Sequence, residues 1–93
     1  MYQVHFTGQF KKDLKLIKKR SVNDFESLRQ LVKVIESGGH SAISAKHKPH
    51  ILRANFAKHW ECHVLPDFLL IWLQNDTDKS VTLIRAGSHT DLF

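Results

Sequence analysis

The sequence predicts one α+β domain over residues 1–93, with two N-terminal helices packed on one face of a mostly antiparallel sheet of four to five strands. Two observations predict it: apolar residues recur with a helical period in the first part of the chain, and beyond residue 59 the period changes to two. A length of 93 residues supports one hydrophobic core and excludes a multidomain enzyme. Packing both helices on one side of the sheet buries an apolar face of each element.

Two helices account for the first part of the chain. The first is predicted from about Thr7 to Arg20, because one face carries the apolar residues Phe10, Leu14 and Ile17. The second is predicted to begin at Asn23, followed three residues later by Glu26, and to end at Gly38-Gly39. We therefore expect a helical hairpin, followed by an exposed loop over residues 40–49 that lacks any period.

The rest of the chain has the alternation and the turns of a sheet. Residues 59–65 alternate, with apolar Trp60, Cys62 and Val64 on one face and polar His59, Glu61 and His63 on the other. Residues 68–73 are apolar throughout, which is typical of a central strand covered on both sides. A turn at 75–78 leads to a return strand at 81–85, and shorter strands are expected at 2–6 and 51–54.

The net charge of +5 is confined to the first helix. Residues 1–20 contain a single anion, Asp13, and six cations: Lys11, Lys12, Lys15, Lys18, Lys19 and Arg20. The remainder of the chain has eight charges of each sign. A dense basic patch attracts polyanions, with nucleic acid as the first candidate and an acidic protein or an anionic membrane as the second. A solvated helix face remains the alternative.

Cysteine content and hydropathy indicate the compartment. A single cysteine, Cys62, allows no intrachain disulfide, so we expect a protein of the reducing cytoplasm. The longest apolar run, at 68–73, is far shorter than the roughly 20 residues that span a bilayer, and the N-terminus lacks the apolar segment of a secretory signal. We therefore expect no membrane association.

The seven histidines could bind metal or transfer protons. The spacings of His47 with His50, and of His59 with His63, loosely imitate those of zinc ligands. Residues four apart meet on a helix, however, whereas on a strand they lie about 13 Å apart at ~3.3 Å per residue. With one cysteine and no paired carboxylates to complete the ligand set, we predict no metal and no other cofactor.

A metal-free site for phosphodiester cleavage is the alternative use of these residues. Asp67 lies at a hairpin turn, Arg85 near the end of the return strand, and His89 at a short helical turn that Ser88 and Asp91 would cap. Cleavage needs one group to deprotonate a ribose 2′-hydroxyl, another to protonate the leaving oxygen, and a cation to stabilise the phosphorane. Taken singly, each residue also has a structural explanation as a surface histidine, a turn former or an ion-pair partner.

Three stretches of the sequence resemble one family. They are Gly8-Gln9-Phe10-Lys11-Lys12-Asp13-Leu14-Lys15, the run from His63 to Trp72 with its His-x-x-Pro-Asp, and Arg85-Ala86-Gly87-Ser88-His89 with its Leu92-Phe93 ending. Together they resemble the YafQ branch of the RelE-type toxins of bacterial toxin–antitoxin pairs, over nearly the whole chain.

The resemblance implies a microbial-ribonuclease-like fold and a ribosome-dependent endoribonuclease that cleaves mRNA in the A site without a metal. By position, the family's functional residues correspond to His50, His63, Asp67, Arg85, His89 and Phe93. The tryptophan common after Pro-Asp is replaced by Phe68, for which we expect an exposed aromatic surface. Near His50, Ile51 and Ala54 replace the family's usual proline and glycine.

The resemblance also implies the partners: a cognate antitoxin, the ribosome with its 16S rRNA, mRNA, and DNA only through the antitoxin complex. We expect the basic residues Lys11, Lys12, Lys15, Lys18 and Lys19, with Phe68 and Phe93, to contact the ribosome or substrate. Two alternatives remain open. One is a non-catalytic RNA- or ribosome-binding module, and the other is a chain whose main role is in an autorepressing DNA complex with the antitoxin.

Overall fold

The computed structural model covers residues 1–93 and contains one sheet and three helices. The strands are β1 (Gln3–Phe6), β2 (His50–Ile51), β3 (Trp60–Leu65), β4 (Phe68–Asn75) and β5 (Ser80–Gly87). The helices are α1 (Gly8–Arg20), α2 (Val22–Gly38) and α3 (His89–Leu92). No helix combines the length and the apolarity needed to cross a lipid bilayer.

The five strands form a mixed sheet in the order β1-β5-β4-β3-β2. Only β1 and β5 are parallel, and the other neighbours are antiparallel, so the predicted α+β fold with a mostly antiparallel sheet is confirmed. β4 is the middle strand, and its residues 68–72 are all buried. An apolar run at this position is explained by elements that cover both faces of the sheet.

Both long helices pack on the same face of the sheet. The main core joins Phe10 of α1 and Leu28, Leu31 and Ile35 of α2 to sheet residues that include Cys62, Leu70, Trp72 and Leu83. Burial raises the pKa of the Cys62 thiol to about 12, so this cysteine stays protonated and unreactive. The opposite face carries a smaller apolar cluster of Leu69, Ile71 and Leu92, against which Leu52, Phe56 and Ile84 pack.

The helical hairpin is tighter than the sequence suggests. Ser21 closes α1, since its N–H donates to the Ile17 carbonyl, and also begins α2, since its hydroxyl accepts from the Asp24 N–H at 3.1 Å. The predicted start, with Asn23 as the capping residue, is therefore wrong by two residues, because Ser21 caps both helices. The predicted end is confirmed: α2 ends at Gly38, and Gly39 has a φ of 67°, which favours glycine.

Two predicted segments differ from the structure. Residues 40–49 are not a uniformly exposed loop: they contain two short 3-10 turns, Ile43 is buried, and the ring of His40 stacks on that of Trp60 with centroids 3.9 Å apart. The strand predicted at 51–54 is limited to His50–Ile51. The Leu52 carbonyl accepts from the Lys58 N–H at 3.1 Å, which closes a turn over residues 53–57 in place of further strand.

Candidate active site

The candidate site lies on the sheet face opposite α1 and α2. On β3, Glu61 and His63 alternate with the core residues Cys62 and Val64, and in register they face Ile71 and Leu69 of β4. Since directly opposite residues of an antiparallel pair project to the same side, Glu61 and His63 share the face of the smaller apolar cluster. The polar side predicted for this strand is therefore present.

His89 and Asp67 form a hydrogen-bonded pair on this face. The Nδ1–H of His89 donates to Asp67 Oδ1 at 2.8 Å, and the backbone N–H of His89 lies 3.3 Å from the same oxygen. These bonds, the side-chain bond first, hold the pKa of Asp67 below its usual value. The aspartate therefore stays ionised near neutral pH and fixes Nδ1 of His89 as the protonated nitrogen, which leaves Nε2 for a ligand.

A local cap places His89 next to this aspartate. Ser88 Oγ accepts from the Asp91 N–H at 3.1 Å, and Asp91 Oδ2 accepts from the Ser88 N–H at 3.1 Å, which is the capping box that the sequence predicted. These bonds to Ser88 lower the pKa of Asp91. Arg20 at the end of α1 lies 3.7 Å from the same carboxylate. α3 thus lies close to the end of α1 as well as to the sheet.

His63 is the second histidine that the structure brings to this position. Its Nδ1–H donates to the Pro66 carbonyl at 3.2 Å, and its ring centroid lies 6.0 Å from that of His89. Because a carbonyl can only accept, Nδ1 carries the proton and Nε2 has a free lone pair when the ring is neutral. The two rings do not bond to each other directly.

His50 is one strand further away and has different partners. Its Nδ1–H donates to the Lys48 carbonyl at 2.7 Å, while its Nε2 lies 3.2 Å from Glu61 Oε1. The register places His50, Glu61, Ile71 and Arg85 in one row across four strands. Three strand spacings of about 4.8 Å put the backbones of His50 and Arg85 about 14 Å apart.

Arg85 is engaged with α1 rather than with the histidines. Its Nε and Nη2 donate to the two carboxylate oxygens of Asp13 at 2.8 and 3.2 Å, and this pairing raises the pKa of the guanidinium. Asp13 also accepts from the Ala86 N–H at 3.1 Å, on an edge of β5 that β1 does not reach. The contacts of Arg85 are therefore structural, and its part in phosphate binding stays a prediction.

The two aromatic residues proposed as contacts differ in exposure. Phe93 is 49% exposed and packs edge-on against Phe56, with centroids 5.8 Å apart. Phe68 is 8% exposed and belongs to the main core. The expectation that Phe68 offers an aromatic surface is therefore wrong, because its side chain points to the helical face of β4.

The basic residues of α1 form an exposed patch. The side chains of Lys11, Lys12, Lys15, Lys18 and Lys19 are all on the surface, and none is in an ion pair. Lys18 lies over the ring of Phe25, with Nζ 5.4 Å from the centroid. The net charge of the chain is thus presented on a face that packing does not use.

Comparison with known proteins identifies the family. The sequence matches, over residues 2–93, the family described as bacterial toxin of type II toxin-antitoxin system, YafQ. The chain belongs to the YafQ toxin family. It is 33% identical, over 97% of its length and 94% of the relative's, to the mRNA interferase toxin YafQ of Escherichia coli strain B.

Solved structures of YafQ-family and related toxins share the fold. The crystal structure of YafQ from E. coli strain BL21(DE3) superposes with a TM-score of 0.87 at 30% identity, covering 100% of this chain and 99% of that one. A metal-bound toxin from Helicobacter pylori gives 0.86 at 30% identity, with full coverage of both chains. A crystal structure of the E. coli DinJ-YafQ complex gives 0.76 at 30% identity, covering 100% and 99%.

The histidines considered as zinc ligands are dispersed in this YafQ-family chain. No three side chains of His, Cys, Asp or Glu are grouped so that they could hold a metal ion. His47 donates from Nδ1 to the His63 carbonyl at 2.7 Å, which ties residues 45–47 to β3. His59 donates to the Ala57 carbonyl at 3.2 Å, within its own turn.

Sequence reasoning missed three residues that shape this YafQ-family site. Glu61 is buried beneath His50, Asp13 holds Arg85, and Phe56 supports Phe93. Two of them had a signal: Asp13 is the single anion in a strongly basic helix, and Glu61 shares the polar face of its strand with His63. Phe56 had none, because it lies in an irregular segment with a φ of 58°.

Proposed function

We propose that this chain is the toxin of a type II toxin–antitoxin system and inhibits translation as an endoribonuclease that cleaves mRNA. Cleavage occurs in the ribosomal A site, needs no metal, and proceeds by attack of a ribose 2′-hydroxyl. The observation that carries the proposal is the pair of histidine rings 6.0 Å apart, each held through Nδ1 and each with Nε2 available. Acid and base must flank the phosphate in such a reaction, and this spacing suits one phosphate.

His63 is the better candidate for the general base. Its Nδ1 is committed to a neutral carbonyl acceptor, and no carboxylate is bonded to the ring. The lone pair of Nε2 can then accept the 2′-hydroxyl proton while the oxygen attacks phosphorus. His47 also bonds to the His63 carbonyl at 2.7 Å, which ties the backbone of this residue to residues 45–47.

His89 is the better candidate for the general acid. Its Nδ1–H donates to an ionised aspartate at 2.8 Å, and this charge-assisted bond fixes the orientation of the ring. The proton on Nε2 would pass to the 5′-oxygen as it leaves phosphorus. Asp67 therefore serves as the residue that orients His89. The exposed ring of Phe93, 6.3 Å from that of His89, offers a surface for stacking a base.

The basic patch on α1 supports ribosome binding. Five exposed lysines without ion-pair partners form a surface that fits 16S rRNA better than a small ligand. The names of the relatives support the same reading, since the E. coli homologue is called an mRNA interferase and a YafQ has been crystallised with DinJ. We propose that a cognate antitoxin neutralises this chain in the same way.

A programmed ribosome complex tests the proposal. Wild-type protein added to ribosomes with a defined A-site codon should leave new 5′ ends within that codon, as mapped by primer extension. A variant with Ala at both 63 and 89 should leave none while it still sediments with ribosomes. If the double variant cuts as fast as wild type, the catalytic assignment is wrong.

The lysine patch also favours a second candidate function, a non-catalytic ribosome-binding module that an antitoxin neutralises. This candidate predicts inhibition of translation without any new 5′ ends, and equal inhibition by wild type and by the double histidine variant. The same experiment therefore separates the two functions.

A further inference from the structure

A row of aromatic rings extends away from the proposed catalytic pair. The ring centroids of His63 and His89 are 6.0 Å apart, and those of His89 and Phe93 are 6.3 Å apart. The row continues with Phe56, 5.8 Å from Phe93, and with His59, 5.7 Å from Phe56. The proposed chemistry uses the first three rings, which leaves Phe56 and His59 unassigned.

The last two rings belong to a segment, residues 52–59, that is fixed in place. The Leu52 N–H donates to the His59 carbonyl at 2.9 Å, and the Lys58 N–H donates to the Leu52 carbonyl at 3.1 Å. Leu52 and Phe56 pack against the smaller apolar cluster of the sheet. Phe56 and Lys58 have φ values of 58° and 69°, and such left-handed backbone at non-glycine residues persists only where the surrounding structure enforces it. The surface of the 52–59 segment is therefore preformed.

The 52–59 segment is positively charged. Arg53 and Lys58 are exposed, and neither is in an ion pair. No carboxylate occurs between residues 50 and 60, and the rings of Phe56 and His59 are partly exposed. Cations that follow a phosphate backbone, together with rings on which bases stack, are the combination by which proteins bind single-stranded nucleic acid.

We propose that the 52–59 segment binds the single-stranded mRNA on the 3′ side of the cleaved bond. The inference rests on the proposed function and deepens it. The leaving 5′-oxygen, which His89 would protonate, belongs to the first nucleotide on the 3′ side of the cut. Phe93, the next ring in the row, stacks the base of that nucleotide. The following nucleotide lies on the 52–59 segment, where the two rings take its base and the two cations contact its phosphates.

This surface is separate from the basic patch on α1. That helix packs on the opposite face of the sheet, whereas the 52–59 segment is joined to the catalytic pair by a continuous row of rings. Continuity with the reacting phosphate favours the substrate strand as the occupant over 16S rRNA or an acidic segment of an antitoxin.

Cross-linking on programmed ribosomes tests the path of the strand without cleavage. The mRNA has a 2′-deoxy nucleotide at the attacking position, so that it cannot be cut, and 4-thiouridine at the second position on the 3′ side of the blocked bond. We expect the photo-cross-link to lie within residues 53–59, as mapped by mass spectrometry of the digested protein. The control, 4-thiouridine at the second position on the 5′ side, should not label these residues.

The cross-linking result is independent of whether the chain cleaves RNA. A label within residues 53–59 from the 5′ side alone, or from neither side, would overturn the inference. Cleavage of the unmodified mRNA is scored separately by its new 5′ ends, so the failure of the inference and that of the proposed function are distinguishable.

Truncating the mRNA provides a matched test of the two cations. One mRNA continues well beyond the cut, and the other ends at the first nucleotide after it. On the long mRNA, Arg53→Ala combined with Lys58→Ala should raise the toxin concentration for half-maximal single-turnover cleavage about tenfold, as expected for two exposed phosphate contacts. The rate at saturation should not change, because contacts made equally in the ground and transition states affect binding alone.

On the short mRNA the same double variant should match wild type within about twofold, because the strand that it contacts is gone. Lys33→Ala, which removes an exposed lysine of α2, is the control and should behave as wild type on both mRNAs. Equal losses on the long and the short mRNA would overturn the proposal, since the two cations would then act through stability or through rRNA. A wild-type concentration dependence of the double variant on the long mRNA would overturn it as well.

Phe56 is tested by changes that keep its packing. Phe56→Leu leaves an apolar side chain against the smaller cluster but removes the aromatic face, so it should raise the half-maximal concentration about fivefold or more on the long mRNA only. Phe56→Trp should restore the wild-type value, and a loss in Phe56→Trp as large as that in Phe56→Leu would contradict stacking. If Phe56→Leu fails to fold, the variant of Arg53 and Lys58, which loses only exposed side chains, still decides the question.

Discussion

Replacing Asp13 with Ala removes the contact that joins α1 to the open edge of β5. Asp13 is 6% exposed and accepts hydrogen bonds from two guanidinium nitrogens of Arg85, from the Ala86 N–H and from the Gln9 side-chain amide. Alanine leaves the Ala86 N–H without its acceptor and leaves a partly buried guanidinium without its counterion. We therefore expect a large loss of stability from the loss of this one carboxylate in a basic helix.

The size of the expected loss in unfolding free energy follows from the burial of the ion pair. Removing one partner of a buried ion pair costs about 3–5 kcal/mol, and we take the lower end, about 3 kcal/mol, because the Arg85 side chain keeps 24% of its surface in water. A domain of this size loses about 4–8 °C of melting temperature per kcal/mol. The melting temperature of Asp13→Ala should thus be about 12–24 °C below that of wild type. Asp13→Asn keeps an oxygen for the Ala86 N–H but loses the charge, so its loss should be about half as large.

Urea denaturation and thermal melts of wild type, Asp13→Ala, Arg85→Ala and the double variant measure the effect. The double variant should lose less than the sum of the single losses, because each single change leaves one buried charge unpaired. Asp78→Ala is the control, because this exposed carboxylate accepts only from the Ser80 hydroxyl, and it should cost no more than about 1 kcal/mol. An Asp13→Ala loss below about 1 kcal/mol, or full additivity with Arg85→Ala, would refute the reasoning.

Three further predictions follow from the site and the charge distribution. Charge reversal of Lys11, Lys15 and Lys18 to Glu should weaken sedimentation with ribosomes at moderate salt while the melting temperature changes little; unchanged sedimentation would make the patch a solvated face only. Ala at His63 or His89 should each slow single-turnover cleavage by about a hundredfold to ten-thousandfold with stability within about 0.5 kcal/mol, and a parallel loss of stability would point to a structural role instead. The purified chain should contain no stoichiometric metal and should keep its melting temperature in chelator, although a Helicobacter pylori relative has been crystallised with metal. One equivalent of metal per chain by elemental analysis would contradict this prediction.

Acid titration provides one more prediction. The pKa of Asp67 is lowered in the folded protein by the hydrogen bond from His89, so this contribution to stability is present above the unfolded value of about 3.9 and is lost as the pH falls through the folded value. Asp67→Asn lacks this contribution at every pH. Its unfolding free energy should therefore decrease less than that of wild type as the pH falls below about 4. Urea denaturation of both proteins between pH 2 and pH 6 checks it, and identical profiles would show that the pair contributes nothing to folding.

Local patterns in the sequence were sufficient for most of the fold. The apolar spacing of Phe10, Leu14 and Ile17 specified a helix that buries one face, and the uninterrupted apolar run in β4 specified the central strand. The capping box at Ser88 could also be predicted from the sequence, because its two partners are three residues apart. Each of these signals depends on neighbours along the chain, which is why one sequence is enough to detect it.

Long-range pairing decided the rest. The sequence alone determined a basic helix, a half-polar strand and a set of titratable residues, and the family resemblance supplied their expected roles. Only the tertiary structure decided that Asp13 meets Arg85, that Glu61 lies against His50, and that Phe68 is buried. The reason is physical: these contacts join residues on different elements, and they depend on strand register and on which face of β4 the helices cover, neither of which local periodicity encodes.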